Sequence, residues 1–275
     1  MDDPDAWVAA WARLAGEVGA DPLLAPVTML DLANEPDCLS LGWGPGGGGG
    51  GEGGGEGGEG NTPPFPGMAV MYHRASAAVH AVHPMALLVI EGTGQVGTGP
   101  ANNWGDGYAT SVGEGPPEAG AAAFFTAALA APYAANLVLG PHLYPPSISM
   151  RAAGAGDGGP PGLAGRLDSS FGAHTLPPGY CGGEGASPPP CRAFPWLVGE
   201  TGARDVGDGS DGPFLEAVAD YAGRPTPPPG FGGFAAPAAA AALAPASHSP
   251  AAGLYWWSWN ANSGDTGERG VRDVE

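Results

Sequence analysis

Two glutamates, each at the end of an apolar run, are where this chain could place chemistry. Val27-Thr28-Met29-Leu30-Asp31-Leu32-Ala33 ends in Asn34-Glu35-Pro36, and Trp196-Leu197-Val198-Gly199 ends in Glu200-Thr201-Gly202. One carboxyl that protonates a leaving oxygen, with a second carboxylate that attacks the reacting carbon or directs water to it, is the apparatus of glycosidic bond cleavage. Neutral sugars also require stacking surfaces and uncharged hydrogen-bonding groups, and Asn34, His142, Tyr144 and Trp257 offer both. Pro36 biases Glu35 away from the right-handed α region, so the chain cannot run from the first strand directly into a helix. A carboxylate and a carboxamide are thereby held side by side at a strand's carboxyl end.

The elements that must position these residues alternate. Asp3 caps a helix with Pro4 in its first turn, and Trp7, Trp11, Leu14, Ala15 and Val18 recur at helical spacing up to Gly19. The strand at 27–32 follows, and a second helix runs from near Met68 to His83-Pro84. Leu87-Leu88-Val89-Ile90-Glu91-Gly92 is the next buried strand. An Ala-rich helix over 118–130 leads to a third strand at 136–140, which ends in Pro141-His142-Leu143-Tyr144. The fourth strand carries Glu200, a helix spans 213–222, and Leu254-Tyr255-Trp256-Trp257-Ser258-Trp259-Asn260 is the fifth. Strands spaced about 50–60 residues apart, with helices between them, point to parallel βα units. Every strand's carboxyl end delivers polar or aromatic groups, which makes a cleft at that end.

Composition bounds the remainder. The 275 residues hold 51 Gly and 32 Pro, about 30% together, a level typical of low complexity. Eight Trp and a hydrophobic fraction of 43% nevertheless require a folded core. We therefore read one domain over 1–275, with low-complexity insertions at about 44–60, 151–192 and 223–250. The Gly run lacks the frame of a phosphate-binding loop. A net charge of −19 without a single Lys disfavours nucleic acid and anionic membranes. No apolar stretch is long enough to span a bilayer, and Met1-Asp2-Asp3-Pro4-Asp5 has the wrong charge for a secretory signal. Cys181 and Cys191 bracket a loop and are candidates for a disulfide, whereas three cysteines without a CxxC spacing disfavour zinc. His73, His80 and His83 lack a nearby acidic or Cys partner and read as a solvated helix face rather than metal ligands.

Five segments, in order, resemble glycoside hydrolase family 5, and within it the endoglucanase branch. They are Leu30-Asp31-Leu32-Ala33-Asn34-Glu35-Pro36, Val89-Ile90-Glu91-Gly92, His142-Leu143-Tyr144, Val198-Gly199-Glu200-Thr201-Gly202 and the run from Trp257 to Gly267. The resemblance implies an α/β (β/α)8 TIM barrel, incomplete here, with strands four to eight present. It also implies a retaining hydrolase of β-1,4-glucan, with Glu35 as general acid/base and Glu200 as nucleophile. Asn34 would bind the sugar 2-hydroxyl, His142 and Tyr144 would line the site, and Trp257 would form the floor, with Trp104 a more remote platform. Metal and cofactor would not be required. The partner would be a poly- or oligosaccharide, and the protein monomeric and, by family habit, extracellular. The family's first strands, with their active-site Arg and His, cannot be assigned, so a fragment of a larger enzyme is expected.

Other readings stay open on the sequence. A mannanase or exoglucanase of the same clan would use the same glutamates. A carbohydrate-binding remnant would retain the Trp residues without turnover, and a Gly/Pro-rich matrix protein would fold little. Glu91 reads as structural or as a support behind the reacting residues, since the reaction needs no third acid. Tyr255 and Trp256 read as core or barrel wall, and Trp104 serves equally as a sugar platform or as loop packing.

Overall fold

A computed structural model describes residues 3–36, 41–44, 65–93, 105–108, 121–145, 147–148, 160–182, 190–203, 211–223 and 249–257. Helix α1 (Pro4–Ala20) starts as the sequence predicts: the Asp3 side chain accepts from the Ala6 amide at 2.9 Å, and Pro4 occupies the first turn. Strand β1 (Met29–Asp31), helix α2 (Met68–Val82), strand β2 (Leu87–Ile90), helix α3 (Ala121–Leu129) and strand β3 (Leu137–Leu139) follow. β1, β2 and β3 are parallel neighbours in that order. After Gly140-Pro141 the third strand resumes as β4 (His142–Leu143), which pairs in parallel with β7 (Val198–Thr201). β7 in turn pairs with β8 (Leu254–Trp256). A parallel bridge from Leu139 to Trp196 joins the two halves of the sheet. These six strands therefore form an arc of parallel β-structure in the predicted order, with β1 and β8 outermost.

Strand alternation separates two faces. Leu30, Leu88, Ile90, Leu137, Leu139 and Val198 turn toward the helices and join the main core. Val89, Val138 and Leu197, with Met29 against them, form a small apolar cluster on the other face. The main core is rich in aromatics: Trp43, Tyr72, Phe124, Phe125, Phe171, Trp196 and Tyr221 are all essentially inaccessible. Trp196 lies 5.1 Å from Phe171 and 5.7 Å from Tyr221 between ring centroids, and its Nε1 donates to the Ser249 carbonyl at 2.6 Å. Trp196→Ala is expected to cost about 3–5 kcal/mol, because the void cannot collapse among rings and the half-buried Ser249 carbonyl loses its donor. The urea midpoint measures this.

Three features depart from the sequence reading. Part of the stretch at 151–192, read as an insertion, is folded. Helix α4 (Pro160–Leu167), a π turn (Asp168–Gly172), α5 (Ala173–Thr175) and the hairpin β5 (Tyr180–Cys181)–β6 (Cys191–Arg192) lie within it. Leu163, Leu167 and Phe171 keep an i, i+4, i+8 stripe among the Gly and Pro, and that stripe is buried in the main core. The Cys181–Cys191 disulfide closes the hairpin. Second, the histidines on and just after α2 are not a solvated face: His83 is buried, and His73 Nδ1 is 2.6 Å from the Tyr133 hydroxyl. Third, Tyr255 is 52% exposed rather than part of a core, because β8 is an outer strand among those described. The insertions at 44–60 and 223–250 fall almost wholly outside the described residues, as does Cys38. The helix predicted over 213–222 is α6 (Gly212–Gly223).

Candidate active site

The carboxyl ends of the parallel strands converge, and His142 lies at the centre. Its Nδ1 is 2.9 Å from Glu35 Oε1 and 3.6 Å from Glu200 Oε2, and its Nε2 is 3.1 Å from Glu91 Oε1. His142 and Glu91 are inaccessible, whereas the Glu35 and Glu200 side chains are 19% and 20% exposed. Of the three glutamates around His142, the two predicted reactive ones are thus the pair that a ligand can reach. One oxygen of each, together with one His142 nitrogen, falls within a 4.8 Å span.

Local structure fixes each side chain. Glu35 has φ +44°, in the left-handed region that a residue with a Cβ avoids. Its amide is held there by Glu91 Oε2 at 2.7 Å. Tyr144 donates to Glu200 Oε2 at 2.8 Å, which fixes the orientation of that carboxylate. Thr201 Oγ1 donates to the Leu143 carbonyl at 2.7 Å, locking β7 against β4 beside the site. Tyr144→Phe should lower turnover roughly 10–100-fold, the worth of a hydrogen bond to a charged group. A matching loss in kcat with little change in KM would verify it.

Glu91 is held from all sides. Tyr72 donates to its carbonyl at 2.9 Å, and Tyr108 donates to the carbonyl of Ile90 at 2.7 Å. Burial, followed by the charges of Glu91 and Asp31, raises both phenols well above their ordinary range, so they remain donors. The returning loop 105–108 covers Glu91: the Gly92 amide donates to the Gly105 carbonyl at 2.7 Å. Gly105 has φ +74°, and a Cβ there would stand 2.8 Å from Glu91 Oε2; a Cβ on Gly92 would meet the Gly107 amide at 2.4 Å. The loop is tied down in turn by a buried ion pair between Asp106 and Arg166 of α4.

The charge state of His142 follows from its neighbours. Burial alone would lower its pKa, but hydrogen bonds to Glu35 and Glu91 and the charges of Glu91 and Glu200 outweigh that and push it up to about 10. Asp31 is raised to about 8, first by desolvation and then by the charge of Glu91 and a hydrogen bond to it. Asp31 is nonetheless exposed by surface area, so solvent moderates this rise, while its upward direction follows from Glu91 alone. Both groups hold protons more tightly in the folded state. The Asp31 contribution to stability is complete below pH 3.8 and is lost as pH rises through about 8. That of His142 is complete below pH 6.5 and is lost through about 10. Urea midpoints are expected to fall steadily between pH 6.5 and 10.

A cation could be held by either of two overlapping sets, Asp31–Glu91–His142 or Glu35–His142–Glu200. The sets share one imidazole, whose two nitrogens each face a carboxylate, and its protonated form supplies positive charge to both.

Of the residues singled out from sequence, Glu35, Glu200, His142 and Tyr144 come together. Asn34 is exposed beside Glu35. Trp257 is 46% exposed at the end of β8, and its amide donates to the Thr201 carbonyl at 2.7 Å, one residue beyond Glu200. Trp104 lies outside the described residues. Glu91, read as structural or as a support behind the reacting residues, lies against the central histidine and holds the Glu35 amide, and Asp31 joins it. The available signal was an acid at an otherwise apolar strand position, two residues beyond Met29 on β1 and two beyond Val89 on β2.

No protein-family profile matches the chain, and no curated protein matches it in sequence. Solved structures do match in fold. The catalytic domain of the major endoglucanase from Xanthomonas campestris pv. campestris matches with a TM-score of 0.51 at 23% identity, over 96% of this chain and 56% of that one. A hyperthermophilic endocellulase from the archaeon Pyrococcus horikoshii matches with a TM-score of 0.57 at 20% identity, over 96% of this chain and 57% of its own. The same archaeon's endocellulase in complex with cellotetraose matches with a TM-score of 0.53 at 18% identity, over 96% and 57%. The chain spans little more than half the length of these structures, and over that span it has the fold of an endoglucanase catalytic domain.

Proposed function

We propose that this chain carries the acid/base and nucleophile half of a retaining β-1,4-glucan hydrolase of the family 5 type. The observation that carries the reading is the pair Glu35 and Glu200, solvent-reachable and with oxygens within 4.8 Å of each other. Retaining glycosidases hold their carboxyl groups about 5–5.5 Å apart, whereas inverting ones leave room for water at about 6.5–9.5 Å. Glu200, oriented by Tyr144, attacks the anomeric carbon while Glu35 gives its proton to the leaving oxygen. Glu35 then takes a proton from the water that releases the sugar from Glu200. Asn34 hydrogen-bonds the sugar 2-hydroxyl, and exposed Trp257 stacks under the ring.

Cellotetraose bound to a structural neighbour supports an oligosaccharide ligand in this cleft. The full enzyme is proposed to complete the eight-stranded barrel, to act as a monomer, and to work outside the cell, where its polymeric substrate lies. No described helix is long and apolar enough to cross a membrane. Reducing-end release from carboxymethylcellulose, with the first product's anomeric configuration read by NMR, tests the proposal. Release with a retained β configuration is expected, and an inverted first product would overturn the mechanism. Preference for mannan would shift the substrate within the same clan. Cellotetraose binding without release from any glucan would favour the binding-module reading.

A further inference from the structure

We propose that Arg166, Ser170 and His174 form a positioning device for the acid/base Glu35, acting through loop 105–108 and Glu91. The three residues lie four apart along residues 160–175, in α4, the π turn and α5. They are 7%, 5% and 7% exposed, and polar side chains are rarely buried without partners. All three find partners on one four-residue loop. Arg166 pairs with Asp106, the Ser170 hydroxyl donates to the Asp106 carbonyl, and the Tyr108 amide donates to Ser170 Oγ at 3.3 Å. His174 Nε2 donates to the Tyr108 carbonyl at 3.2 Å. The apolar stripe Leu163, Leu167 and Phe171 seats the same segment in the main core, so the polar stripe rests on a fixed base.

The loop carries this grip to Glu91. Trp43 Nε1 donates to the Gly107 carbonyl at 2.8 Å. The Tyr108 hydroxyl donates to the Ile90 carbonyl at 2.7 Å and accepts from the Gly140 amide at 3.2 Å. These bonds pin the Gly107-Tyr108 end across the ends of β2 and β3. The Gly105-Asp106 end stands at the Glu91 carboxylate. There the Gly105 carbonyl accepts from the Gly92 amide, and a Cβ on Gly105 would come within 2.8 Å of Glu91 Oε2. That oxygen holds the Glu35 amide at 2.7 Å, in a left-handed conformation that persists only where its surroundings impose it. Arg166 therefore braces the end of the loop that backs Glu91. Without the ion pair Gly105 is released, Glu91 Oε2 gains room, and the Glu35 turn relaxes. A displacement of about 1 Å at a reacting group can lose about 100-fold in rate.

The acid/base half of this proposal rests on the hydrolase reading, whereas the brace on the Glu35 turn does not. Arg166→Met alone removes the countercharge of a buried acid, at a cost that can unfold the segment. Arg166→Met combined with Asp106→Asn removes both charges and is the variant to measure. Amide hydrogen exchange by NMR in the full chain reads the brace. The Glu35 amide should exchange at least roughly tenfold faster in the double variant, while the amides of α1 keep their parent rates. An unchanged Glu35 rate would overturn the proposal, whether or not the protein hydrolyses glucan. Equal acceleration in α1 would mean general loosening and would overturn it too. In the active enzyme, kcat on cello-oligosaccharides should fall roughly 10–100-fold with KM unchanged, while the phenol burst from a dinitrophenyl cellobioside keeps its rate. Equal loss on both substrates would reduce the stripe to packing and refute the positioning role. If the parent releases nothing from any glucan while Glu35 exchange responds as expected, only the hydrolase reading fails.

Discussion

Glu200→Gln is expected to lower turnover on any β-glucoside by roughly four orders of magnitude or more, with the fold intact. The amide is isosteric and still accepts from Tyr144, so packing around β7 does not change. What disappears is a nucleophile able to bond to the anomeric carbon, and the reaction cannot proceed through its intermediate. Leaving-group ability should not soften this loss, because no leaving group replaces a missing nucleophile. Glu200→Ala with added azide gives a sharper reading. The small anion enters the space vacated by the carboxylate and attacks from the same face, so the product is an α-glycosyl azide from a β-glycoside. A β-azide, or turnover by Glu200→Gln within tenfold of the parent, would remove Glu200 from the nucleophile's role.

Glu35→Gln should separate substrates instead of abolishing everything. General acid catalysis contributes about 10²–10⁴-fold, and most of it is needed when the leaving group is a sugar hydroxyl. Hydrolysis of cello-oligosaccharides should fall by that factor. A dinitrophenyl cellobioside leaves without a proton, so its first step should be nearly unaffected. Its second step still lacks the base that activates water, and a burst of phenol followed by slow steady turnover is expected. Equal losses on both substrates with no burst would place Glu35 outside acid/base catalysis. The variant also leaves His142 Nδ1 facing a neutral group instead of a carboxylate. Its imidazolium is then less favoured, and the alkaline loss of stability should begin at lower pH than in the parent.

Much of the cleft was legible along the chain because its information is local. Apolar runs of strand length, helical stripes between them and polar groups immediately after each strand require only side-chain period and turn chemistry. The Asp3 cap, the order of the parallel strands, and the positions of Glu35, His142, Tyr144 and Glu200 at strand ends are all of this kind. The stripe Leu163, Leu167 and Phe171 was equally present, but Gly and Pro on either side masked it. Composition averaged over a window conceals three well-spaced apolar residues.

Other properties needed the third dimension. That His142 stands between Glu35, Glu91 and Glu200 depends on four strands meeting and on the turn at Gly140-Pro141 that offsets β4 from β3. Nothing near His142 in sequence is acidic, so its raised pKa is a consequence of assembly. The left-handed backbone of Glu35 was likewise hidden. Pro36 argues only against the right-handed α region, and it is the Glu91 carboxylate, 56 residues away, that holds the amide in the conformation observed. Residue type and spacing therefore determined which groups reach the cleft. Tertiary structure decided which of them are coupled to one another, because electrostatic coupling depends on distances of a few ångströms between side chains far apart in the sequence.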